Sequence, residues 1–120
     1  MSWRKAPEEL NRFLEETLRG VKCQFRKMFG YSTYFINNNM FVGAHHEGLF
    51  LRLSPEDRRS TMFEHDEIGP FEPIPGRTMK EYVVIPEHIY TDSGVFPDLL
   101  ARSVDYVSSL PPKEKRKRKK

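Results

Sequence analysis

A chain of 120 residues is the size of one domain, and its nine Phe, five Tyr and one Trp allow a compact core without metal or disulfide despite a modest 38% hydrophobic content. The single cysteine, Cys23, excludes an internal disulfide. No run approaches the roughly 20 apolar residues that span a bilayer, and the opening MSWRKAPEEL lacks the apolar stretch of a secretory signal, so a cytoplasmic protein without membrane contact is expected. The net charge of +3 is uneven: residues 113–120 carry seven Lys or Arg against one Glu, which leaves 13 basic and 16 acidic side chains to the first 112 residues. The body is mildly acidic and the basicity is a tail.

Along the chain, Leu10, Phe13, Leu14, Leu18 and Val21 form one apolar stripe at helical spacing. Pro7 suits a first helical turn, Glu8 and Glu9 favour the positive end of the dipole, and Gly20 suits the exit, which predicts a helix over 7–19. From Lys22 to Leu53 the period changes to two. CQFRKMF, YSTYFI, MFVGAH and LFLRL read as four strands, separated by Gly30, by the asparagines Asn37–Asn39 and by a turn at Glu47-Gly48. Such short connections make neighbouring strands antiparallel.

Ser54-Pro55-Glu56-Asp57 has the residues of a helix start and predicts a peripheral helix to about Asp66. GPFEPIPGR, with three prolines and two glycines, reads as an irregular loop, and MKEYVVIP as a fifth strand. Phe96, Leu99, Leu100, Val104 and Val107 repeat the spacing of the first helix and stop before Pro111-Pro112. The expected fold is α+β: a mostly antiparallel sheet of about five strands with helices packed on one face. Its order is helix, four strands, helix, strand, helix. Residues 1–110 form the single domain and 111–120 a disordered basic tail.

The residues that carry chemistry show no familiar spacing. His45 and His46 are adjacent, and on a strand they would point to opposite faces. His65 and His88 lie in other elements, and Cys23 has no cysteine partner. Solvent-facing turn histidines and a small buried thiol are the simpler readings. No nucleotide-binding glycine motif and no nucleophile elbow occurs, so no catalytic, metal or cofactor residue is assigned and no cofactor is expected. An uncharacterised enzyme stays open as a third reading. The tail, Lys113, Lys115, Arg116, Lys117, Arg118, Lys119 and Lys120, would attract a polyanion without reading bases, because no aromatic residue interrupts it.

KMFGYSTYFINNNMFVGAHHEGLFLRL, from Lys27, resembles the N-terminal domain of the TfoX (Sxy) family. Met28, Phe29 and Gly30 match its opening, Met40 and Phe41 its second Met-Phe pair, and Gly48, Leu49 and Leu51 its end. GRTMKEYVVIPEHIY and the closing LLARSVDYV fit as well, so the likeness covers about residues 8–110. The MmcQ/YjbR group is the nearest competitor in pattern, and its characteristic N-terminal segment is not evident. TfoX proteins regulate natural competence together with a transcriptional activator, and their full-length forms add a C-terminal helical domain. The resemblance therefore implies a free-standing, non-enzymatic interaction or regulatory module, linked to transcription or competence, with no catalytic residues to carry over. A protein partner or self-association is expected, with Tyr31, Tyr34 and Phe35 as its surface. The alternative is a nucleic-acid accessory protein that binds weakly and without sequence preference through its tail.

Overall fold

The first apolar stripe folds as predicted. In a computed structural model, which describes residues 8–28, 31–74 and 76–112, helix α1 runs Glu8–Thr17 and buries Leu10 and Leu14, with Leu18 buried just beyond it. Each such leucine contributes roughly 1.5–3 kcal/mol through its burial. The four-strand meander follows: β1 (Gln24–Met28), β2 (Tyr31–Ile36), β3 (Asn39–His45) and β4 (Gly48–Arg52), each antiparallel to its neighbour. The asparagines turn the chain as expected. Asn37 and Asn38 both have positive φ, 52° and 68°, which is the two-residue turn whose twist matches that of the flanking strands. Asn39 opens β3, and its amide donates to the Pro111 carbonyl at 3.1 Å, tying the end of the chain's last helix to the sheet.

The second turn is displaced by one residue from the expected Glu47-Gly48. His45 pairs with Gly48, so His46 and Glu47 make the turn and Gly48 starts β4. Its φ is +143°, and a Cβ there would stand 2.6 Å from the Ile85 carbonyl oxygen. Only glycine lets the strands meet this closely.

Helix α2 (Pro55–Glu64) begins as its sequence demands, with Ser54 Oγ accepting from the Asp57 amide at 3.1 Å. The next segment corrects the sequence reading. GPFEPI was expected as loop; it is a strand, β5 (Gly69–Ile74), paired with β6 (Arg77–Ile85) across two register shifts. Pro70 and Pro73 are tolerated because β5 lies at the sheet's outer edge, where a missing N–H breaks no ladder. The sheet is thus six-stranded, in the order β1-β2-β3-β4-β6-β5. A short turn of helix, α3 (Glu87–Tyr90), precedes α4 (Phe96–Ser109), which ends before the two prolines as predicted.

The protein is α+β, with α1, α3 and α4 packed on one face and α2 against β6. That face carries Tyr34, Val42, Ala44, Leu49, Leu51, Val83 and Ile85, joined by the bulged Phe41, beneath Leu10, Leu14, Phe96, Leu99 and Val107. Ser103, fully buried, lies beside the α4 stripe although the stripe's apolar spacing does not include it. Its small side chain fits there, although its hydroxyl finds no partner among the described residues.

The opposite face is closed by aromatic rings. Phe50 and Phe71 stack with centroids 4.7 Å apart, Tyr82 flanks both, and Met40, Met79 and Val84 pack around them. Phe50 lies across Gly43, where a Cβ would come within 2.7 Å of its Cε2 and 2.9 Å of the Ser32 carbonyl oxygen. Gly43→Ala should therefore cost about 1–3 kcal/mol, read as a lowered denaturant midpoint with an unchanged slope. Combining it with Phe50→Leu, which frees the space, should cost less than the two single changes together.

Candidate functional site

The histidine pair sits at the turn between β3 and β4 and differs from its expected state. His45 is 7% exposed on the aromatic face, with ring centroids 5.3 Å from Tyr31 and 5.1 Å from Phe71. Because His46 already belongs to the tight turn, the two imidazoles do not point apart; their centroids are 4.2 Å from each other. The Tyr31 hydroxyl lies 3.4 Å from His46 Nδ1, and His46 Nε2 stands 3.8 Å from Glu47. Burial pushes the His45 pKa down from its usual 6.5; His46 adds to this, and Glu47 opposes it. His65 ends α2, and His88 reaches Glu67 at 3.4 Å on the exposed surface. Among the described residues, no group of three His, Cys, Asp or Glu side chains could hold a metal ion. Partial burial raises the Cys23 thiol above its ordinary pKa, which disfavours the thiolate.

At the other end of the sheet, Glu81 accepts from Arg52 Nε at 2.7 Å and from the Tyr106 hydroxyl at 2.8 Å, linking β4, β6 and α4. The Tyr82 hydroxyl donates to the Met40 carbonyl at 2.8 Å, and Arg102 joins Asp57 of α2 to Asp98 of α4. These groups hold elements together, and each is occupied by a structural partner.

Among the described residues, the two larger grooves open on the helical layer. One, of about 540 Å³, runs between α1 and α4 over Phe13, Val21, Phe96, Leu100 and Val104. The other, of about 560 Å³, separates α1 from β1 and β2; Glu8, Arg12, Glu15 and Arg19 stand along its helix and Cys23, Phe25 and Tyr34 along its sheet.

A model of the TfoX N-terminal domain matches residues 14–107. The chain belongs to the TfoX N-terminal domain family. Comparison with curated proteins and with solved structures finds no match. Met28 ends β1 opposite Tyr31, while Phe29 and Gly30 lie outside the described residues. Phe41 is fully buried beneath the helices, Met40 packs on the aromatic face, and Gly48 makes the close approach to Ile85.

The proposed contact residues are largely covered. Tyr34 is 8% exposed and Phe35 7%, the latter beneath the Arg26 guanidinium 4.5 Å above its ring; Tyr31 is half-buried against His45. A surface on these three reduces mostly to Tyr31. Among the described residues of this part of the TfoX domain, the open aromatic one is Phe25, 56% exposed on β1, with its ring centroid 5.4 Å from that of Tyr34. Its alternation with Lys27 is visible in the sequence. That β1 is a sheet edge follows only from the strand order. The tail residues Lys113, Lys115, Arg116, Lys117, Arg118, Lys119 and Lys120 lie outside the described residues.

The His45 environment has a measurable consequence. Between the lowered folded pKa and the unfolded value near 6.5, the unfolded chain binds more protons, so stability falls as pH falls through that window. The thermal midpoint of the wild type should drop between about pH 7 and pH 5 more steeply than that of His45→Phe, which removes the titrating group. Parallel pH profiles for the two proteins would show that His45 does not contribute.

Proposed function

We propose that this protein is a non-enzymatic interaction module, regulatory in kind as TfoX proteins are, and that it meets its partner through the edge of the sheet at β1. The observation that carries this reading is Phe25. A large aromatic side chain more than half exposed, on a strand that pairs on one side only among the described residues, combines the apolar contact and the free backbone groups that strand-addition interfaces use. The polar groups fit an enzyme less well. His45 is packed among rings, Glu81 is committed to Arg52 and Tyr106, and His88 stands apart with Glu67.

A photo-crosslinking amino acid at position 25 tests the reading in the native cell. Adducts above the mass of the single chain are expected there, and not from position 63, where Phe63 is exposed on α2, away from the edge. If position 25 gives no adduct, the edge is not an interaction surface.

A second reading rests on the charge distribution. Seven cations within residues 113–120, beside a body of net negative charge, favour a polyanion at the tail. Retention of duplex DNA at low salt should then be independent of sequence and lost on deleting residues 113–120. Its salt dependence should follow about −0.9 per phosphate neutralised on a log–log plot. Retention that survives the deletion would assign the binding to the acidic body.

A further inference from the structure

The two edges of the sheet are finished differently. At β5, Pro70 and Pro73 lack the N–H that an added strand needs, and register shifts at Pro70/Phe71 and between Phe71 and Ile74 distort the ladder. Both are devices that keep an edge from pairing. At β1 there is neither a proline nor a register shift against β2. Gln24, Phe25, Arg26 and Lys27 are all exposed. Of the two cations that would guard this edge, Arg26 is drawn back over the sheet, its guanidinium over Phe35 and its Nη2 donating to Asn38 Oδ1 at 3.1 Å. Lys27 alone remains.

We infer that β1 is a self-pairing edge whose occupant is a second copy of this chain, joined antiparallel about a twofold axis through Phe25. This rests on the reading of β1 as the contact edge and names its partner. Charge selects both the partner and the register. With Phe25 opposite Phe25, Arg26 faces Gln24 and Lys27 faces Cys23, so no like charges are opposed. Centring the axis one residue later would set Arg26 against Arg26. Phe25, Lys27 and Cys23 alternate onto the helix side of the sheet, since Phe25 pairs with the buried Tyr34 and Lys27 with Ser32. Lys27 of the second copy is thereby delivered beside Cys23, at the groove that holds Glu8 and Glu15 as well as Arg12 and Arg19. Neither glutamate has an ion pair among the described residues, so carboxylates are available to the arriving ammonium. The paired Phe25 rings lose their open surface in the same step. A five-residue edge is short, so the dimer is concentration-dependent.

The register makes a covalent test specific. Lys27→Cys places a new thiol opposite the native Cys23 of the other copy, and directly opposed residues of an antiparallel pair lie about 4.5–5.5 Å apart between Cα atoms, within disulfide range. Under mild oxidation this variant should form a disulfide-linked dimer. The same change in a Cys23→Ser background should not. Within one chain the two positions are four strand residues apart, about 13 Å, and cannot join.

Sedimentation velocity over a concentration series supplies the second measurement. Wild-type protein should move towards dimer with concentration, and Phe25→Lys, at a position too exposed to disturb the core, should weaken association at least tenfold, with an unchanged thermal midpoint at concentrations where both proteins are monomeric. A dimer that persists in Phe25→Lys would place the interface elsewhere and overturn the inference. So would a wild-type protein that remains monomeric while Lys27→Cys fails to crosslink. If that monomer still gives position-25 adducts with another protein in the cell, only the second copy is wrong. If it gives none, the edge reading fails with it.

Discussion

A six-stranded sheet has two faces to hide, and the helices of this chain cover one. That constraint organises the rest of the structure. The second face is closed by the sheet's own residues: Phe50 lies across Gly43, Phe71 stacks on Phe50, and Tyr82 completes the layer while its hydroxyl reaches the Met40 carbonyl. The irregular β5–β6 pairing brings Phe71 to this layer. A regular β5 would have continued the sheet outwards; its register shifts instead accompany a strand whose one buried residue faces back onto the rings. Gly43 is needed because ring-on-backbone packing leaves no room for a Cβ.

The same arrangement explains His45. It stands at the end of the aromatic layer with Tyr31 and Phe71 on either side, a place that favours a neutral imidazole. Its environment makes it a packing residue whose charge is costly, with a proton equilibrium tied to the integrity of the layer. The polar groups at the far end of the sheet have a comparable structural task. Glu81, Arg52 and Tyr106 are bonded to one another across β4, β6 and α4, which fixes the last helix over the core.

Closing both faces leaves the edges as the places where backbone groups remain free, and the chain treats them unequally. Prolines and bulges blunt β5, whereas β1 is regular, exposed and carries Phe25. The expected contact residues Tyr34 and Phe35 lie one strand inward, and this explains their burial. Tyr34 lies on the helix side in contact with Phe25, and Phe35 on the other beneath Arg26. Their aromatic character is visible in the sequence, but their distance from the edge is not.

Much of the fold was legible from local rules. The stripes of α1 and α4 follow the helical period, Ser54 and Pro55 start α2, and Asn37-Asn38 makes the hairpin turn that residues tolerant of positive φ permit. The described part of the TfoX motif could be read for the same reason: Phe41 and Gly48 sit in strands beside tight turns, where short-range geometry dictates residue type. Tertiary structure decided the rest. GPFEPI becomes a strand because an edge position forgives its prolines, His45 is buried because Phe71 arrives from 26 residues further along, and Phe25 is exposed because β1 is outermost. Each outcome depends on which strand lies beside which, a long-range pairing that the local period of two cannot encode.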